Sequence, residues 1–169
     1  MPTLIRWTGQ RGEAMEDPFT SVADEEFLPR GDVIISLQRF HNEGRRLLAE
    51  GRKVGVRIEP NEQVEDLAAD LPNIAVVALA FPKFLQGQPY SSARILRERY
   101  RYQGELRAVG DVLREQAGFM IRCGFDVFAP ADGSTPDEWT HVAHRFRHVY
   151  QRGEDGREPA FEERAEGVS

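Results

Sequence analysis

Apolar runs that alternate with stretches of helical periodicity dominate the middle of the chain. Val54, Val56 and Ile58 alternate with small or polar residues, which predicts a strand with one apolar face. The run 74–81 is apolar on both faces, as is typical of a central strand in a parallel sheet. Further strands are predicted at 32–35, 105–109 and 125–128. The pattern is that of an α/β protein.

Helices are predicted in the intervals, over 37–50, 61–70, 90–100, 112–123 and 136–151. The last of them has the clearest start, because Thr135 and Glu138 have the spacing of a capping box. Ser36 is expected to cap the start of the first helix, and Gly51 suits the position after its end. Asn61 is expected to cap the second helix.

At least four strand–helix units follow one another, with connections long enough to require parallel pairing. Two architectures fit this pattern: an open doubly wound sheet and a half-barrel. Residues 1–31 contain only short strand candidates, so a small irregular β segment is expected before the α/β domain at 32–152. Residues 153–169 are acidic and poor in apolar side chains, which predicts a flexible tail.

Composition places the chain among ordinary globular proteins. It has 169 residues, of which 40% are hydrophobic and 30% charged, which fits one domain. No stretch is long and apolar enough to span a bilayer, and the N-terminus has no signal pattern, so a cytoplasmic location is expected. The net charge of −6 argues against nucleic-acid binding, although the segment 94–107 is locally basic and favours anions.

Candidate ligand-binding residues follow the predicted strands, where α/β proteins bind ligands. They are Lys83, Gly87, Ser91, Arg107, Gly110 and Asp111. Lys83 follows a buried strand, so its ammonium group is expected at the sheet edge, beside a glycine turn and a helix N-terminus that attract anions. The alternative is structural: Ser91 and Asp111 cap the starts of helices while Lys83 is solvated.

A second candidate surface consists of Arg94, Arg97 and Arg101, whose spacing places them on one helical face. Such a stripe on an acidic protein can dock an acidic partner or hold an oxyanion. The alternative is a solvated face with ion pairs such as Arg94 to Glu98. Arg107 interrupts a strand instead, which predicts either an edge position or pairing with an acid such as Glu59 or Glu105.

Metal and redox chemistry find little support. Cys123 is the only cysteine, which excludes an internal disulfide and any site that needs several thiolates from one chain. Its place at a helix end among apolar residues predicts a small buried side chain. His141, His144 and His148 share a helical face, which is read as solvated, so no metal is expected. The motifs for dinucleotides, P-loops and common hydrolases are missing, and no cofactor is evident.

The central block also resembles a known family. The segments FPKF, YSSARILRER, GELRAVGDVLREQ and RCGFDVF are similar to the bacterial domain-of-unknown-function family 934. The positions that correspond are Phe81, Pro82, Lys83, Phe84, Gly87, Tyr90, Ser91, Ala93, Arg94, Leu96, Arg97 and 104–113. The turn after FPKF departs from the family, which usually has Asp-Gly-Arg where this chain has Gln86-Gly87-Gln88. That change disfavours a charged catalytic group there but leaves backbone donors.

The resemblance implies a role in sulfur metabolism. Members of that family are typically encoded beside assimilatory sulfite reductase and are often labelled as oxidoreductases of that pathway. We therefore expect an accessory protein of sulfite reduction in cysteine biosynthesis, which contacts the reductase or its electron donor. The alternative is an enzyme or sensor that binds a small anionic metabolite at the C-terminal edge of the sheet. Whether the protein is itself an enzyme stays open.

Overall fold

A computed structural model describes residues 3–83 and 87–145 of the chain. Its eight strands are β1 (Leu4–Trp7), β2 (Gly12–Met15), β3 (Thr20–Ser21), β4 (Val33–Ser36), β5 (Val54–Ile58), β6 (Val76–Phe81), β7 (Glu105–Gly110) and β8 (Val127–Phe128). They form one sheet in the order β2-β1-β8-β7-β6-β5-β4-β3. The pairs from β3 to β8 are parallel, whereas β1 is antiparallel to both β8 and β2.

This order makes the sheet an open half-barrel. From β3 to β8 every strand lies beside its predecessor, whereas a doubly wound sheet reverses direction at a switch point. The predicted α/β class with a mainly parallel sheet is therefore confirmed, with an antiparallel edge in addition. The short strands of the N-terminal segment belong to the same sheet: β1 and β2 form one edge, and β3 forms the other.

Four helices accompany the strands within residues 3–83 and 87–145. Helix α1 is continuous through Leu37–Arg39, a π-helical turn at Phe40–Gly44, and Arg45–Ala49. Helix α2 covers Gln88–Arg94 and continues as a π-helical turn at Ile95–Arg99. Helix α3 covers Ala117–Arg122 after a 3-10 turn at Arg114–Gln116, and α4 covers Pro136–Arg145.

Two predicted caps are confirmed. The Ser36 hydroxyl accepts a hydrogen bond of 3.1 Å from the backbone N–H of Arg39. Thr135 and Glu138 form the expected reciprocal pair, in which each side chain accepts from the other's backbone N–H at 3.1 and 3.0 Å. Gly51 follows α1 with a φ of +82°, a conformation that glycine adopts without strain.

Two predicted helices differ from the structure. The segment 61–70 forms no α-helix, and the chain makes 3-10 turns at Val64–Leu67 and Leu71–Asn73. Val64 and Leu67 are both buried, and their spacing of three matches the three-residue period of a 3-10 turn. Asn61 therefore caps no helix. The helix expected from 112 begins only at Ala117, after the 3-10 turn.

The main core lies between the sheet and the helices. Successive crossovers in one direction place their helices on one face of the sheet, because such crossovers are right-handed. Val77, Leu79 and Phe81 of β6 face that core. Val76 and Ala78 face the other side, which we call the helix-free face, where they pack near Phe19. The predicted tail at 153–169 and the end of the predicted last helix lie outside the described residues.

Candidate functional site

The ends of β6 and β7 and the start of α2 hold four of the predicted ligand residues. Phe81 pairs with Gly110, so Lys83 and Asp111 both follow at the C-terminal ends of neighbouring strands. Lys83 is exposed, and its ammonium group bonds to nothing in residues 3–83 or 87–145. Gly87, also exposed, precedes α2. The structure thus places Lys83, Gly87, Gly110 and Asp111 near this edge.

Gly110 is required by the backbone at that edge. Its φ is +86°, and a Cβ built on it would lie 2.5 Å from the carbonyl oxygen of Phe81. The same oxygen accepts a hydrogen bond of 2.9 Å from the N–H of Asp111. Gly110 therefore fixes the direction in which the chain leaves β7, and with it the position of Asp111.

The capping roles weighed for Ser91 and Asp111 are wrong. Gly87 precedes α2, and Ser91 is an exposed residue whose N–H bonds to the Gly87 carbonyl at 3.0 Å. The turn before α3 is capped by Asp132, whose carboxylate accepts from the N–H of Arg114 at 2.9 Å. Burial alone would raise the pKa of Asp132, but hydrogen bonds from Arg114 and Ser134 outweigh burial and lower it.

An aromatic surface lies beside this edge. Phe119 of α3 is 37% exposed, and its ring lies 4.6 Å from that of Tyr90, measured between centroids. Tyr90 contacts Phe81 at 5.1 Å, and Phe81 contacts Phe125 at 5.5 Å. The rings thus continue from the surface into the core. We call Lys83, Tyr90 and Phe119 the aromatic edge.

Phe119 is not among the residues predicted for the site, although the sequence contains a signal for its exposure. At about 100° per residue, Phe119 lies about 160° around the helix from both Ala117 and Ile121. Those two residues are buried, so an aromatic ring on the opposite side has to face solvent. Burial raises the pKa of the Tyr90 hydroxyl, with a smaller contribution from Cys123. Tyr90 is therefore a neutral ring at physiological pH.

Arg107 lies on the helix-free face, away from the strand-end residues. Its side chain is 2% exposed and forms ion pairs with Glu105 at 2.7 Å and with Asp17 at 2.9 Å. Pairing with Glu105 confirms one of the predicted alternatives. The ring of Phe19 lies 5.9 Å from the guanidinium carbon. One nitrogen, Nη2, is buried with no hydrogen-bond partner in the described structure. The sequence offers no signal for Asp17, which is 90 residues away.

The three arginines of the expected docking stripe have different surroundings. Arg94 pairs with Glu98 at 3.2 Å, which confirms that alternative. Arg97 instead donates to the carbonyls of Gly124, Tyr102 and Gly104 at 3.0, 2.7 and 2.9 Å. Its side chain is only 14% exposed.

Arg97 also lies near Asp126. Its guanidinium is 3.5 Å from the carboxylate, which accepts a hydrogen bond of 2.8 Å from the N–H of Leu106. Burial raises the pKa of Asp126, and Arg97 offsets that increase only in part. Arg97 thus ties the end of α2 to the loops before β7 and β8.

Arg101 lies beyond the end of α2, in the loop that Arg97 holds. Its φ of +53° is the only positive value among the non-glycine residues that the structure describes. Its side chain is exposed and makes no hydrogen bond or ion pair within 3–83 and 87–145.

Two clefts flank this loop, at the edge opposite the predicted site. One of about 410 Å³ is lined by Trp7, Arg97, Tyr102, Gly124 and neighbours. The other, of about 530 Å³, lies between the loop 100–104 and the turn at Leu71–Asn73. The sequence pattern points only to the C-terminal edge of the sheet and gives no sign of these clefts.

Cys123 is buried as predicted, whereas one of the histidines contacts other parts of the chain. Cys123 is buried, and burial raises the pKa of its thiol while Arg94 partly offsets the increase. His144 lies within hydrogen-bonding distance of the Gln10 carbonyl and 5.6 Å from the ring of Trp7. Within the described ranges, no group of three or more potential ligands could hold a metal ion, and His148 lies outside them.

The comparison with protein families gives one match. The model of a family described as "Bacterial protein of unknown function (DUF934)" covers residues 55–161. The chain belongs to this family. The DUF934 match begins inside β5 and includes the aromatic edge and the cleft of about 530 Å³. β1 to β4 precede it, and Trp7 of β1 lines the other cleft. No curated protein matches the sequence. Across 3–83 and 87–145, no helix combines the length and apolar character that a membrane crossing needs.

Proposed function

We propose that this protein is an accessory component of assimilatory sulfite reduction, which serves cysteine biosynthesis by binding sulfite reductase or its electron donor. The gene neighbourhood that the family resemblance implies supports the pathway. The observation that supports a binding role is the aromatic edge, where Phe119 is exposed and rests on Tyr90. Both residues lie within the segment that matches the family.

The geometry of these rings suits a protein contact. The Phe119 ring packs against Tyr90, which packs in turn against Phe81. The exposed ring therefore loses little conformational entropy when a partner binds. Rigid aromatic side chains are the typical anchors of protein interfaces. Lys83 adds a positive charge at the same edge, which attracts an acidic partner and speeds association at low salt.

The arginine stripe is a poorer docking surface than the sequence suggested. Arg97 is committed to three backbone carbonyls, and Arg94 pairs with Glu98. A charge reversal at Arg97 would disturb the loops that it holds, so weaker binding by that variant would not identify an interface. Phe119 and Lys83 can be changed with far less effect on the fold, because both are exposed.

A binding titration with sulfite reductase, and separately with its electron donor, tests the proposal at low salt. Phe119→Ser should weaken binding by about tenfold or more, the effect of losing an aromatic anchor worth about 1.4 kcal/mol. Lys83→Glu should slow association and reduce its salt dependence. The matched control is Phe27→Ser, because Phe27 is 99% exposed and is not part of the aromatic edge. Absence of binding by the unaltered protein, or equal losses in Phe119→Ser and Phe27→Ser, would refute the proposal.

A second candidate is a site for a small anion at the C-terminal edge of the sheet. It is supported by Lys83, whose ammonium group is exposed and free of partners in the described structure. Arg107 is too deeply paired to take part in such a site. A thermal-shift series with sulfite, sulfate and phosphate tests this role. It fails if no anion raises the melting temperature, or if Lys83→Ala leaves the increase intact.

A further inference from the structure

The larger cleft, at the edge opposite the aromatic edge, has the features of a binding site. Its volume of about 530 Å³ falls within the range of about 300–1,000 Å³ that is typical of small-molecule sites. Leu71, Ile74 and Tyr100 provide much of its lining. A hydrogen bond of 2.9 Å from the Tyr102 hydroxyl to the Ile74 carbonyl joins the two walls.

One cation lies on this apolar lining. Arg101 lines the cleft, is exposed, and has no acceptor among the residues that the structure describes. The nearby charges are already paired with each other: Arg99 lies 3.9 Å from Glu65, and Asp70 pairs with Arg45 at 3.4 Å. Arg101 is therefore the group at this cleft that remains available to an anionic ligand.

The backbone of Arg101 points to the same conclusion. A φ of +53° is unfavourable for any side chain with a Cβ, and glycine would adopt it without cost. The loop is held in this conformation because Arg97 donates to the carbonyls of Tyr102 and Gly104, on the C-terminal side of Arg101. A strained residue that the surroundings fix in place is characteristic of functional sites.

We propose that the cleft lined by Arg101 binds a small organic anion, whose apolar body fills the cleft and whose carboxylate, sulfonate or phosphate group pairs with Arg101. The apolar lining provides affinity without selectivity, and the single guanidinium selects for the anionic group. This site lies at the opposite edge of the sheet from the aromatic edge and shares no residue with it. The anion-binding proposal can therefore fail without affecting the proposed protein contact, and the reverse also holds.

The test uses two fluorescent probes with related ring systems. 8-Anilinonaphthalene-1-sulfonate carries a sulfonate, and N-phenyl-1-naphthylamine is uncharged. Arg101→Gly should weaken binding of the sulfonate by about tenfold, through loss of one charge-assisted contact, and leave the uncharged probe nearly unchanged.

Two further variants locate the site and control for charge. Ala68→Leu reduces the volume of the cleft and should weaken both probes. Arg99→Ala removes the same charge from a neighbouring exposed residue that does not line the cleft, and should leave both affinities unchanged. The proposal is overturned if neither probe binds, if Arg101→Gly binds the sulfonate as well as the unaltered protein, or if Arg99→Ala weakens it equally. Unchanged binding in folded Ala68→Leu would also overturn it.

Discussion

Replacing Arg97 by methionine should destabilise the fold strongly. The change keeps much of the apolar stem of the side chain but removes the guanidinium that donates to Gly124, Tyr102 and Gly104. It also leaves Asp126, a carboxylate with a pKa that burial has already raised, without its positive neighbour. Three segments of chain then lose the group that joins them.

The magnitude follows from the number and kind of these contacts. A hydrogen bond with a charged donor contributes about 1.5–3 kcal/mol, and Arg97 makes three of them at 14% exposure. Water can reach part of the site after the substitution, so the sum is an upper limit. We expect a loss of about 3–5 kcal/mol, the usual effect of breaking a buried charged network.

Urea denaturation followed by circular dichroism measures this loss directly. For a chain of this size, about 1 kcal/mol corresponds to about 2–4 °C in melting temperature, so a decrease of about 10 °C is expected. The control is Arg99→Met in the same helix, where the side chain is 65% exposed and its acid lies 3.9 Å away. That variant should change stability by less than about 1 kcal/mol. If the two variants lose equal stability, the structural role assigned to Arg97 is wrong.

Two further predictions concern the strand-end region. Gly110→Ala should lower the free energy of unfolding, measured by urea denaturation, by at least about 2 kcal/mol, because its φ is positive and its Cβ would contact the Phe81 carbonyl. The control is Gly133→Ala, where φ is also positive but the surroundings are open, and there the loss should be about 1 kcal/mol. Equal losses would contradict the contact. Because the pKa of Asp132 is lower in the folded than in the unfolded protein, its carboxylate stabilises the fold at any pH above the unfolded-state pKa. That stability is lost as the pH falls through the folded-state pKa. Unfolding measured from about pH 5 down to about pH 2 should therefore be less pH-dependent in Asp132→Asn; an unchanged slope would contradict that role.

The fold was predictable wherever local signals and burial agree. The apolar run identifies β6 as a central strand because β6 is buried on both faces of the sheet. The alternation identifies β5 because its apolar residues all lie on one buried face. The N-cap at Ser36 and the capping box of Thr135 and Glu138 are local too, and both predictions are confirmed. The curvature of the sheet was not predictable, since strand order is set by contacts between distant residues.

The candidate site was harder to predict, because side-chain surroundings come from other parts of the chain. Arg97 has the spacing of a surface stripe, yet Gly124 and Asp126 from a later loop enclose it. Arg107 was expected beside Glu105, and only the fold brings Asp17 to it as well. Basic residues in a sequence therefore show where positive charge is located. They do not show whether that charge is already paired with an acid or hydrogen-bonded to backbone carbonyls.

The position of β1 has a consequence for the order in which the chain folds. From β3 to β8 each strand pairs with the next one along the chain, so these contacts can form progressively as residues are added. β1 pairs with β8 instead, where Ile5 lies opposite Phe128. During synthesis, β1 is therefore made well before the strand with which it pairs. Until β8 forms, the edge of the growing parallel sheet is open to strands from other chains, and misassembly is most expected in that period.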